Sequence, residues 1–114
     1  MHDHDPMHDP EEELELARET MAMAEQLVRG ASYLCLEPVE LPTTAQLMAV
    51  QAFFPHDDVN ELRRQLVMGA VRIGPFLPGP VLDFALSSLR SASLDWRSET
   101  PNERDLARLG FAPR

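Results

Sequence analysis

Residues 12–36, EELELARETMAMAEQLVRGASYLCL, decide how the chain is read. The stretch has no proline, and only Gly30 weakens it, so it predicts one long helix from Glu12 to about Leu36. At roughly 1.5 Å per residue such a helix spans on the order of 36 Å. Its acidic start, Glu11, Glu12, Glu13 and Glu15, suits the positive end of a helix dipole. Leu14, Met21, Val28 and Cys35 recur every seven residues, with Ala17, Ala24 and Ala31 recurring between them. That spacing is a heptad seam, and alanine at alternate positions lets a partner helix come close. A second stripe of Leu16, Met23, Leu27 and Leu34 widens the apolar face. So wide a face needs either the later helices of the same chain or a second subunit to cover it.

Downstream, punctuation predicts four shorter helices. Glu37-Pro38 ends the first helix. Thr43 with Gln46 three residues on is a capping box, and Pro55 closes the helix it opens. Asp57 or Asp58 starts the next, with Gly69 as its C-terminal cap. Residues 70–80, AVRIGPFLPGP, read as a rigid apolar link, and Pro80 suits the first turn of a fourth helix that fades through Trp96 and Ser98. Thr100-Pro101-Asn102-Glu103 reads as a second capping box, opening a short helix that Gly110 closes. No segment alternates strictly with β-branched or aromatic residues. The expected fold is therefore all-α: a bundle of about five helices in one domain over residues 12–114. Residues 1–11 form a His/Asp-rich acidic arm with nothing to bury, expected to be disordered.

The segments PTTAQLMAV (42–50), DDVNELRRQL (57–66) and ERDLARLGF (103–111) carry a resemblance over residues 43–114. With the ending Arg108-Leu109-Gly110-Phe111-Ala112-Pro113, that region resembles a family of small all-helical actinobacterial domains of unknown function. The resemblance implies a helical fold and no activity.

Length and charge bound the function. With 114 residues the chain suffices for one small domain and is too short for a two-domain nucleotide enzyme. The whole excess of −9 lies in residues 1–40, where eleven acids face Arg18 and Arg29; residues 41–114 balance eight acids with eight arginines. An acidic arm repels phosphates, so neither nucleic acid nor an anionic membrane is an expected partner, whereas a basic protein is. Leu66–Leu82, the most apolar window, holds Arg72, Pro75, Pro78 and Pro80 and is unsuited to spanning a bilayer. The acidic N-terminus is the reverse of a signal peptide, and one cysteine makes no internal disulfide. A cytoplasmic location is expected.

Several residues carry chemistry in principle. His2, His4 and His8, among Asp3, Asp5 and Asp9, are of the right types to ligate Zn²⁺ or Ni²⁺. A flexible tail lacks the supporting contacts of a specific site, so a solvated arm is the plainer reading. His56 beside Asp57 and Asp58 reads as a turn residue, and Cys35, on the seam, as a small buried apolar residue. No Gly-x-Ser-x-Gly surrounds Ser87 or Ser88, no His-Glu-x-x-His occurs, and Gly69, Gly74 and Gly79 are too widely spaced to cradle a phosphate. Arg63-Arg64 and Arg104 with Arg108 read as solvated helix surface. Catalysis and a cofactor are not expected.

What remains is binding. The seam Leu14, Ala17, Met21, Ala24, Val28, Ala31 and Cys35 is the expected interface, with Phe76 and Leu77 of the proline-rich link as a second docking element or as plugs of the chain's own core. The expected function is a small acidic interaction protein (adaptor, assembly chaperone or inhibitor), working as a homodimer through its long helix. A metal-responsive protein using the arm and an accessory subunit of a multi-chain enzyme are the alternatives.

Overall fold

The computed structural model describes residues 10–111. It places five helices around a three-stranded antiparallel sheet: α1 (Pro10–Arg29), β1 (Ser32–Leu36), α2 (Thr44–Gln51), α3 (Val59–Met68), β2 (Arg72–Phe76), α4 (Pro80–Ser91), β3 (Trp96–Glu99) and α5 (Glu103–Arg108). The all-α expectation is thus overturned: the fold is mixed α/β. It also differs from the all-helical fold that the resemblance implied.

The decisive departure lies in the opening stretch. α1 begins at Pro10 and stops at Arg29, and Gly30 and Ala31 then turn the chain, their N–H groups donating to Leu27 and Val28 carbonyls. The residues that seemed to extend the heptad, SYLCL, form β1, the central strand of the order β2-β1-β3. Both faces of a central strand are covered, so its residues read as a continuous apolar run with no alternation to betray them. β2 replaces the expected link, and β3 replaces the fading end of the fourth helix.

Successive side chains of β1 point to opposite faces. Leu34 and Leu36 face a core shared with Leu47 and Val50 of α2, Leu62 and Leu66 of α3, Ile73 of β2, and Ala85 and Leu89 of α4. Leu34 pairs with Ile73 on one side and Ser98 on the other, and a bulge breaks the β1–β2 register between Ser32 and Leu34. The opposite face carries Tyr33 and Cys35, flanked by Arg72, Arg97 and Glu99 at register positions. α5 is tied to this second face through Asp105.

The caps read from the sequence form as expected for α2, α3 and α4. Thr43 Oγ1 accepts from the Gln46 N–H at 3.1 Å while Gln46 Oε1 accepts from the Thr43 N–H at 3.0 Å. Asp58 caps α3, Gly69 ends it in the left-handed region at φ 70°, and Pro80 opens α4. The last box is displaced: Asn102 and Asp105 form it, not Thr100 and Glu103.

α1 stands away from this body. Of its residues only Glu25 is buried, and its last turn is held by the Arg29 guanidinium, 2.9 Å from Glu25 and 3.5 Å from Glu103 of α5. The radius of gyration is 19.6 Å, against about 13 Å for a compact domain of this length. The projecting helix accounts for the difference, being about 30 Å long at 1.5 Å per residue.

Candidate functional surface

α1 is amphipathic along its length. At 100° per residue, Leu14, Ala17, Met21, Ala24 and Val28 occupy one side of its apolar half, and Leu16, Met23 and Leu27 the other. The two stripes are not equally covered. Ala24 and Val28 are half-buried where the seam leans on the body, whereas Leu14, Ala17 and Met21 are exposed. The other stripe is open along its full length, with Met23 67% and Leu27 61% exposed. In a folded chain such residues normally lie inside, and a contiguous row of them in water marks a binding surface.

The expected seam is therefore shorter than the heptad count suggested. Ala31 lies in the turn after α1 and Cys35 in β1, both buried, so neither belongs to a helix interface. Phe76 is half-buried against the core, edge-on to Phe53 with ring centroids 6.3 Å apart. Leu77, just beyond it, is exposed. His2, His4 and His8 lie outside the described residues. Among the described residues no group of three or more histidine, cysteine or acidic side chains is placed to hold a metal ion. His56 is exposed in the turn before α3, whose cap is Asp58.

A second apolar surface was not read from the sequence. The outer sides of α2 and α4 form an open groove of about 680 Å³. Small side chains line it, Ala45, Ala49, Ser87 and Ser91 among them, while Met48 and Phe84 stand at it, 65% and 71% exposed. No charged residue lines the groove. The buried face of α4 is built by Ala85 and Leu89, and Phe84 falls instead among serines on the other side. A large aromatic residue on an otherwise polar helix face was the signal available in the sequence.

No protein-family model, curated protein or solved structure matches this chain.

The polar face of the sheet is the other candidate, and its chemistry is structural. Arg72 lies 3.7 Å above the Tyr33 ring and donates to both carboxylate oxygens of Asp105 at 2.7 and 2.9 Å. That guanidinium, ahead of the Asn102 N–H, holds the Asp105 carboxyl down at about 2. Burial, and then the Glu99 carboxylate beside it, push the Cys35 thiol up, the reverse of what a nucleophile needs. Cys35 is buried as expected, but in a strand and beside Arg72 and Glu99.

Among the described residues no helix is long and apolar enough to cross a membrane. α1 itself carries six glutamates and two arginines.

Proposed function

We propose that this protein is a non-catalytic protein–protein interaction module that self-associates through α1. The observation that carries the reading is the open apolar half of a helix whose last turn is tied to α5. A lone helix of this length is marginal in water, and tertiary packing of its apolar face normally supplies its stability. Wrapping Leu14, Leu16, Met21, Met23 and Leu27 in a partner removes on the order of 500 Å² from water per chain. A symmetric pair doubles that to about 1,000 Å², near the lower limit for a specific protein interface. Glutamates on the polar half keep the helix soluble before it docks and disfavour indiscriminate association.

Native mass by light scattering over a dilution series tests this reading. The expected result is twice the 12.8 kDa of one chain, falling to the single-chain mass in Leu16→Glu/Met23→Glu/Leu27→Glu. A wild-type chain that stays monomeric at every concentration, or a triple variant that stays dimeric, overturns it.

A further inference from the structure

Among the described residues two apolar surfaces are left open, and they are opposite in shape. α1 is a ridge of long side chains, Leu16, Met23 and Leu27. The α2–α4 surface is an open trough lined mostly by alanines and serines, together with Met48, Phe53 and Phe84. Long side chains on one helix interdigitate best with a surface of small ones, because only then do backbones approach closely enough for dense packing. Leu16 to Leu27 covers about 16 Å of helix and Phe84 to Ser91 about 10 Å, at 1.5 Å per residue. Two of the three anchors, Leu16 and Met23 or Met23 and Leu27, thus match the trough in length.

Geometry keeps these surfaces apart within one chain. α1 is rooted on α5 by Arg29 and Glu103, and α5 lies against the Tyr33 and Cys35 face of the sheet. α2 and α4 pack on the opposite face, with Leu34 and Leu36. The helix of a second copy has no such constraint.

Charge bears on how two copies can meet. α1 carries six glutamates against Arg18 and Arg29. Side by side in parallel, two such helices bring their acidic first turns together, and like charges in contact are unfavourable. The trough has no charged lining, and it belongs to residues 41–114, which balance eight acids with eight arginines. A neutral apolar trough accepts the apolar half of an acidic helix without setting like charges against each other.

We infer that the α2–α4 groove is the docking site for α1 of a second copy, each chain of a two-fold dimer lending its helix to the other. The inference rests on the self-association proposed above and names the surface that α1 meets. Reciprocal exchange of this kind is isologous and closes at two copies. It also covers both surfaces at once, so the buried area exceeds that of helix-on-helix pairing.

Complementation tests it. The helix variant is Leu16→Glu/Met23→Glu/Leu27→Glu, and the groove variant is Met48→Glu/Phe84→Glu; all five side chains are exposed, and circular dichroism checks that each variant folds. Sedimentation equilibrium is run on each alone and on an equal mixture. Each variant alone is expected to dissociate, with Kd raised at least tenfold. The mixture is expected to re-associate as a heterodimer, because the groove variant's intact helix meets the helix variant's intact groove. A groove variant that stays dimeric while the helix variant dissociates overturns the groove and leaves self-association through α1 standing. A mixture in which neither monomeric variant rescues the other also overturns the groove. A monomeric wild type, or a helix variant that stays dimeric, overturns both. As a second measurement, chains carrying Met23→Cys mixed with chains carrying Phe84→Cys are expected to cross-link to each other under mild oxidation. Cross-linking of Met23→Cys chains only among themselves assigns the contact to α1 against α1 and overturns the groove.

Discussion

Arg72 of β2 and Asp105 of α5 close a two-pronged hydrogen-bonded ion pair across 33 residues of sequence, with the Asp105 side chain 2% exposed. The same carboxylate accepts from the Asn102 N–H at 2.9 Å, so it caps α5 and anchors it at once. Removing the guanidinium leaves a buried carboxylate facing a gap. Arg72→Met is therefore expected to lower stability by about 3 kcal/mol, the range for breaking one side of a buried pair. Urea unfolding of the two proteins measures this. A loss below about 1 kcal/mol would mean that water reaches Asp105 freely.

The same pair sets a pH dependence. Asp105 titrates at about 2 in the folded chain, below the ordinary 3.8. A depressed folded value means that the folded state binds the proton more weakly than the unfolded one. Its contribution is complete above about pH 4 and is lost as pH falls through about 2, to a total of about 2 kcal/mol. Thermal melts between pH 5 and pH 2 should fall more steeply in the wild type than in Asp105→Asn, which cannot titrate there. Parallel curves would assign the acid sensitivity to other carboxylates.

How far the fold was legible depended on which residues carried the signal. Caps are local: Thr43 with Gln46, Asp58 at the start of α3, Gly69 at its end and Pro80 in the first turn of α4 could be read from two or three neighbours. The sheet is not local. Ala31 and Cys35 happen to fall seven residues after Ala24 and Val28, so the strand continued the helix's count, and only Gly30 marked the break. β2 was hidden by Gly74 and Pro75, which look like a link until pairing with β1 supplies the reason for a strand. β3 is a four-residue edge strand, Trp96–Glu99, too short for its alternation to register. For the candidate surface, the apolar ridge of α1 was visible in the periodicity. Where the seam leaves the body, half-covering Ala24 and Val28 but exposing Leu14 and Met21, was not, because that depends on tertiary placement.

Gly74 offers a direct check on β2. Its φ is 133°, and a Cβ there would sit 2.9 Å from the Ser32 carbonyl oxygen, at the bulge between the two strands. A side chain meets both a disfavoured backbone conformation and a backbone atom that cannot swing away. Gly74→Ala is expected to cost about 2–3 kcal/mol. If residues 70–80 were only a link, the same change would be close to neutral in a denaturant melt.

Cys35 should report global unfolding. Its side chain is buried in the central strand and its thiol is pushed up by burial and by Glu99, so little thiolate forms near neutral pH. Reaction with an aromatic disulfide reagent at pH 8 is expected to be far slower than for a free thiol, and to accelerate in step with unfolding in urea. Rapid labelling of the native chain would show that the α5 face opens locally, well below the global transition.

Hydrogen exchange along α1 distinguishes a helix that stands alone from one that is covered. The last turn, held by Glu25, Arg29 and Glu103, is tied to α5 in a single chain, whereas the apolar side chains of the earlier turns, Leu14, Leu16, Met21 and Met23, are exposed. In dilute solution, protection is expected to fall steadily from Val28 toward Leu14, as in a fraying helix. As concentration rises, a second copy covers Leu16, Met23 and Leu27, and amides around them should slow by the factor that association adds. Amides of β1, already at the centre of the sheet, should not change until global unfolding is approached. Equal slowing of α1 and β1 would indicate a general gain in stability with no local cover on the helix. Protection in α1 that is strong at every concentration would mean that the helix is shielded without a second copy, and the open apolar face would lose its role as a binding surface.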